Sequence, residues 1–343
     1  LAMLGGLIRL DREKPVKPNW FPAVIQGDIS QRRNANTNQA QEALEIYLQL
    51  SRDALAGKPK PEILLWPESA VPVPYRSTHS VSFLFRIGLQ NLILQSGVPM
   101  LIGAIDFEDK LPGSATPPGM TNSALFFNHR GRLRHKYDKI HRVPYGEYIP
   151  FRRCLPGFIV RMIDMNRDLV PGADYNPIEV RSDVRAGTAI CYEGVFGYLT
   201  REFARRGANV LVVLSNDAWY PKSSEPEQHL ANATLRAVET GLPMVRCGNN
   251  GGSLVVTPYG RITQVLTVDG PEQRPELRRG RGVKTLAVGV EPSPSYTFYV
   301  RHGEWFIAVL AAVEAVFWLA AFAGFKKRKQ ALLDAIRRPG AGS

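Results

Sequence analysis

The chain has 343 residues, 44% of them hydrophobic and 22% charged, which is enough for one large domain or two ordinary ones and too apolar for a disordered chain. Lys and Arg total 43 against 31 Asp and Glu, a formal net charge of +12. Neither the aromatic-basic pattern of an RNA-binding sheet nor zinc-finger or helix-turn-helix spacing accompanies that charge, so no nucleic-acid partner is expected, and the three scattered cysteines argue against a disulfide framework or a cysteine-rich metal site.

At the start, residues 1–8 (LAMLGGLI) are apolar but too short to span a bilayer or to form a signal peptide. They read as the end of a membrane helix, which makes the chain a fragment of a longer polytopic protein, and residues 9–21 read as a linker. Pro22–Gln26 is a predicted strand and Asn38–Ala56 a helix with Ala43, Leu44, Tyr47, Leu48 and Leu55 on one side. Ile63–Trp66 is a strand that Pro67 is expected to stop, leaving Glu68 half in and half out of the domain. Pro99–Ile105 and Ser123–Phe127 follow as strands, the second ending at a hairpin-like turn, Asn128-His-Arg-Gly131. Residues 107–122 and 270–284 read as loops.

Thr188–Ile190 is a short strand leading into Cys191, and Val195–Arg205 has helical character. Asn209–Leu214 is almost entirely β-branched or leucine, as expected of a strand buried on both faces. Ser224 and Glu227 have capping-box spacing ahead of a helix that Gly241 would close. Met244–Arg246, Ser253–Thr257 and, after the turn at Pro258-Tyr-Gly260, Ile262–Val268 complete the pattern. Strands alternating with helices over residues 22–300 predict a layered α/β domain with mixed sheets.

From Trp305 to Phe325 the chain is apolar except at Glu314, long enough at about 1.5 Å per residue to cross a hydrocarbon core of about 30 Å. The run stops at Lys326-Lys-Arg-Lys329, the start of a basic tail over residues 326–343, and this order places the tail in the cytoplasm and the domain outside it. Arg9, Arg12, Lys14 and Lys17 pull the other way. The alternative is a buried core helix of a soluble protein. In a membrane, Glu314 would have to face protein rather than lipid.

Three polar residues stand at ends of apolar segments: Glu68, Lys139 and Cys191. If they converge, the carboxylate takes the thiol proton, the thiolate attacks an acyl carbonyl, and the ammonium with a backbone N–H holds the oxyanion. Taken singly, each has an ordinary reading, the cysteine as a small core residue and the two charges as solvated surface. Of the six histidines, His129, His135, His141 and His229 show no convincing ligand spacing, so no metal and no redox cofactor is expected.

Leu65-Trp-Pro-Glu-Ser-Ala70, Tyr137-Asp-Lys139 with Val143-Pro-Tyr-Gly-Glu-Tyr148, and Ala189-Ile-Cys-Tyr-Glu193 resemble, in order, the three motif blocks of the nitrilase (carbon–nitrogen hydrolase) superfamily. Ser215-Asn-Asp-Ala-Trp-Tyr220, Gln228-His229, Arg236-Ala-Val-Glu239 and Asn249-Asn-Gly251 resemble later blocks of its branch of bacterial membrane enzymes that complete lipoprotein acylation. The resemblance implies an αββα sandwich followed by one transmembrane helix, in the bacterial inner membrane with the catalytic domain on the periplasmic face.

It further implies Glu68 as general base, Lys139 as oxyanion stabiliser and Cys191 as the nucleophile that takes an acyl chain from a phospholipid as a thioester and passes it to the amine of a diacylglyceryl apolipoprotein. Glu147 would orient Lys139 or handle the amine proton. Tyr192 would lend a backbone N–H, and Glu193 would either act at the site or hold the turn by an ion pair. Tyr145, Tyr148, Trp219 and Tyr220 are lipid-contact candidates, with ordinary packing as the alternative reading for Trp219 and Tyr220. A monomer is expected. A membrane-anchored amidase would use the same three residues with water as the acceptor.

Overall fold

The computed structural model describes residues 16–30, 37–109, 118–162, 168–219, 223–268, 277 and 279–337. The expected helix remnant at 1–8, Arg9, Arg12, Lys14 and Tyr220 lie outside these residues, as do parts of the two expected loops and the end of the tail. Two units are described, residues 1–300 and 301–343.

The first unit is built on two six-stranded mixed sheets among the described residues. One contains β1 (Pro22–Gln26), β2 (Ile63–Val71), β3 (Met100–Phe107), β4 (Met120–Phe127), β5 (Leu133–Asp138) and β12 (Gly282–Thr285), in the order β12-β1-β2-β3-β4-β5. The other contains β6 (Ile178–Arg181), β7 (Val184–Ile190), β8 (Val210–Ser215), β9 (Met244–Gly248), β10 (Leu254–Val256) and β11 (Ile262–Val265), in the order β11-β10-β9-β8-β7-β6. Within them β1, β2 and β3 run parallel, as do β7, β8 and β9.

Helices α1 (Thr37–Ala56) and α2 (Ser80–Ser96) cover the first sheet, while α4 (Gly197–Arg205) and α5 (Glu225–Thr240) pack on the second; the short α3 spans Gly157–Met162. Alternation along each strand divides the core. On β1 and β2, Val24, Ile63 and Leu65 face the second sheet, whereas Ala23, Ile25, Leu64 and Trp66 face α1 and α2. Strands with both faces covered must be apolar throughout, which is why β8 reads Val-Leu-Val-Val-Leu. The result is the expected αββα sandwich.

Several local expectations change. β2 does not stop at Pro67: it runs on to Val71, with its register against β3 broken between Trp66 and Val71. Glu68 is therefore buried at 5% exposure, not half in solvent. Gly103 on β3 makes the bulge possible, because any side chain there would strike the Pro67 carbonyl and the Glu68 backbone. Residues 120–122 belong to β4 and 282–284 to β12, where the sequence suggested loops. The Ser224 side chain does not cap α5, although Gly241 closes that helix with a left-handed φ of 73°. The expected linker also contains part of the domain, since Trp20 is buried and its backbone pairs with Val288.

The first unit ends within the short α6 (Phe298–His302). The second unit is α7 (Trp305–Arg337), a single helix that continues through the Lys326–Lys329 cluster. Among the described residues it is the one helix long and apolar enough to cross a membrane, and none of that span is buried, unlike a core helix.

Candidate active site

The parallel strands present their C-terminal ends together, the position at which open α/β sheets place ligand sites. Glu68 comes from the bulged half of β2, Lys139 follows β5 and Cys191 follows β7. The fold thus brings together three residues from three separate segments. Ser69 and Cys191 have left-handed φ values of 54° and 51°. Such conformations are costly for residues with a Cβ and persist where the surroundings hold them.

Lys139 is buried and its Nζ lies 3.4 Å from Glu68 Oε1 and 2.9 Å from Glu147 Oε1. Asn122, also buried, donates through Nδ2 to the same two oxygens at 2.8 and 2.9 Å. Two donors therefore bridge two carboxylates, and the Val143 N–H donates to Glu147 Oε2 at 2.8 Å to fix the loop. The other oxygen of Glu68, Oε2, is buried without a hydrogen-bond partner. Burial raises the Glu68 pKa, while Lys139 and Asn122 pull it down. For Lys139, burial is outweighed by Glu68 and Glu147, which keep its charge well beyond the usual lysine range. Cys191, half-buried, has a thiol pushed up by burial and by Glu68 and favoured as thiolate by Lys139. For such a thiol to act as a nucleophile it would need a base, and Glu68 is the carboxylate whose charge acts on it most.

Glu193 occupies a different place from Glu68 and Glu147. Fully buried, it accepts from the Tyr137 hydroxyl at 2.9 Å and from the backbone N–H groups of Ile140, His141 and Ile190 at 2.7, 2.9 and 2.8 Å. It ties the strand entering the Cys191 turn to the segment that carries Lys139, and among the described residues it forms no Arg or Lys ion pair. Burial pushes it up to about 7 against those donors. Tyr192 packs edge-on to Phe196, whose ring stacks on His141 at 3.7 Å between centroids.

A second polar cluster adjoins the thiol from the other side. Cys191 Sγ, a carboxylate oxygen of Asp217 and a ring nitrogen of His229 lie within 4.8 Å of one another. The three residue types are possible metal ligands, yet Asp217 is already engaged by the Ser215 hydroxyl at 2.8 Å, by His229 Nδ1 at 3.2 Å and by the Arg246 guanidinium at 2.7 Å. A dication would have to displace buried Arg246, so this donor set fits cationic side chains better than a metal. Nearby, Asn216 reaches the Glu68 carbonyl at 3.4 Å and accepts from Asn249 at 3.0 Å, joining the ends of β8 and β9 to the β2 bulge.

Of the lipid-contact candidates, Tyr145 and Trp219 are exposed, at 57% and 45%, and Tyr148 lies under the Arg142 guanidinium. Asn122 and the Asp217–His229–Arg246 cluster were not singled out as site residues by sequence. Asn122 falls where the sequence suggested a loop, and a lone histidine on a helix carries no local mark of its neighbours.

The carbon–nitrogen hydrolase family profile matches residues 23–272. Similar proteins include the apolipoprotein N-acyltransferase of Brucella suis biovar 1 (strain 1330), 34% identical over 294 residues, covering 84% of this chain and 50% of the relative. Another is that of Geobacter metallireducens (strain ATCC 53774 / DSM 7210 / GS-15), 31% identical over 306 residues, 88% of this chain and 53% of the relative. The chain spans about half the length of these curated relatives. Among solved structures, an amidase from Nesterenkonia sp. superposes with a TM-score of 0.56 at 18% identity, over 85% of this chain and 96% of that one. Saccharomyces cerevisiae Nit3, a member of branch 10 of the nitrilase superfamily, gives 0.54 at 18% identity, over 80% and 92%.

Proposed function

The chain belongs to the carbon–nitrogen hydrolase family, and from that premise we propose that it transfers a fatty acyl chain from a phospholipid to the amino group of a diacylglyceryl-cysteine lipoprotein. The observation that carries the reading is the convergence of Glu68, Lys139 and Cys191 in a chain whose relatives are named apolipoprotein N-acyltransferase. The same relatives favour an amine over water as the second acceptor.

Glu68 takes the Cys191 proton as sulfur attacks the phospholipid ester, and the oxyanion forms beside Lys139 Nζ and the Tyr192 N–H, the first amide after the nucleophile. Collapse expels the lysophospholipid alkoxide, which receives the proton from Glu68. The lipoprotein amine then attacks the thioester, gives its proton to Glu68 and releases the thiolate. Glu147 holds Lys139 in place, with a hydrogen bond of 2.9 Å. Glu193 acts by holding the turn, through its hydrogen bonds to Tyr137, Ile140, His141 and Ile190. Tyr145, Tyr148 and Trp219 would meet the lipid, and α7 would anchor the enzyme in the inner membrane with the domain on the periplasmic side.

The test is incubation of the membrane-reconstituted protein with a phospholipid carrying a labelled acyl chain, followed by intact mass measurement. A hydroxylamine-labile adduct is expected on the wild type and not on Cys191→Ala. Glu68→Gln and Lys139→Ala are expected to fold and to form no adduct. A wild type that never acylates would sink the reading; a variant that acylates at the wild-type rate would remove that residue from its role.

A further inference from the structure

We propose that His229 is a positioning residue that holds a further positive charge beside Cys191 and so favours its thiolate, in addition to Lys139 and Arg246. The proposal rests on the reading of Cys191 as the nucleophile. Its ground is the charge arrangement on the Asp217 side of the thiol. Asp217 lies close enough to oppose thiol ionisation, as Glu68 also does.

The charged groups around this centre are the carboxylates of Glu68, Glu147, Asp217 and Glu225, the enclosed Glu193, and the cations Lys139 and Arg246. Lys139 is shared between Glu68 and Glu147. Arg246 is held by Asp217, the Ser215 hydroxyl and the carbonyls of Gly251 and Gly252, and its charge also acts on Cys191. Carboxylates are in surplus here, and forming a thiolate moves a negative charge from Glu68 onto sulfur, beside the carboxylate of Asp217.

His229 offsets that surplus. Its Nδ1 is 2.7 Å from Glu225 Oε1, one turn earlier on α5, and 3.2 Å from Asp217 Oδ1. The ring of Tyr192, the residue after Cys191, lies 6.3 Å from the His229 ring. Although burial disfavours the imidazolium, hydrogen bonds to the two carboxylates push its pKa up to about 9. At neutral pH the ring is therefore charged. The proton from the Cys191 S–H bond still passes to Glu68, and His229 keeps its own proton throughout; it acts through charge alone, both when the thiolate forms and when it departs from the thioester.

The pH dependence of Cys191 alkylation by iodoacetamide in the full chain tests this without any lipid, with peptide mass spectrometry separating Cys191 from Cys154 and Cys247. His229→Gln is expected to react about tenfold more slowly at pH 7 and to converge with the wild type at high pH, a modest fraction of what two charges within 4.8 Å can exert. Superimposed profiles, or a loss equal at every pH, would overturn the proposal.

A reciprocal measurement avoids altering His229. By linkage, Cys191→Asp, which places a fixed anion at this point, must make the imidazolium harder to deprotonate than Cys191→Ser, which places none, read from the carbon-13 resonances of labelled histidine. A His229 titration that is the same in the two variants overturns the proposal even if His229→Gln fails to fold. An acyl adduct on the wild type with unchanged alkylation profiles refutes this inference alone, whereas absence of the adduct refutes the acyl-transfer reading beneath it.

Discussion

Replacing Asn122 by leucine removes one donor from each of two catalytic-site carboxylates while nearly preserving volume. Its Nδ2 gives hydrogen bonds of 2.8 Å to Glu68 and 2.9 Å to Glu147, and both oxygens keep only Lys139 Nζ, at 3.4 and 2.9 Å. A hydrogen bond to a charged group is worth about 1.5–3 kcal/mol net, and the longer Lys139 contact leaves Glu68 the more affected. Asn122 lowers the Glu68 pKa, so its loss raises it further: the anion, the form proposed to accept the thiol proton, appears only at higher pH. The acid limb of the acylation profile should move upward. Taking the lower end of the range, about 1.5 kcal/mol, the rate on that limb falls about tenfold, with little change on the plateau. The assay is single-turnover acylation of Cys191 between pH 5 and 9. An acid limb that stays in place, or moves to lower pH, refutes the assignment of Glu68 as base and of Asn122 as its support.

Gly103→Ala should destabilise the domain by about 1–3 kcal/mol or more, because its methyl group meets the backbone of the β2 bulge and not a yielding side chain; an unchanged thermal midpoint would show that the bulge is not held this way. Glu193 and His229 both make stability fall as pH rises. For Glu193, burial raises the folded pKa to about 7, so the anion is disfavoured on folding and stability declines from the ordinary carboxylate range through pH 7. For His229, whose folded pKa is about 9, stability is complete below the ordinary histidine value and is lost through pH 9. Urea unfolding across this range should show the Glu193 portion abolished in Glu193→Gln. That variant should itself lose about 1–3 kcal/mol, since an amide nitrogen placed among four donors leaves one of them unsatisfied. A slope unchanged in Glu193→Gln would contradict the linkage.

Much of the architecture could be read from local pattern. The apolar runs at Pro22–Gln26, Asn209–Leu214 and Met244–Arg246 became β1, β8 and β9, and the amphipathic stripe at Asn38–Ala56 became α1. Helix α2 left no such stripe. It is covered on one side by Phe85, Leu89 and Ile93 yet carries Phe83, Leu84, Ile87 and Leu94 on its exposed surface, so its apolar residues have no helical period to read.

The identities of Glu68, Lys139 and Cys191, their order, and the apolar helix at Trp305 were all present in the linear chain. What they touch was not. Proline normally interrupts a strand, and only the glycine opposite it on β3 lets β2 continue and carry Glu68 into the interior. Asn122 bridges two carboxylates only after β4 is paired beside β3, and Asp217 and His229 approach Cys191 only after β8 and α5 close over the end of β7. Periodicity encodes which face of an element is buried, because that depends on near neighbours in the chain; the field around a thiol depends on charges brought together by sheet stacking, and no short stretch of sequence contains it.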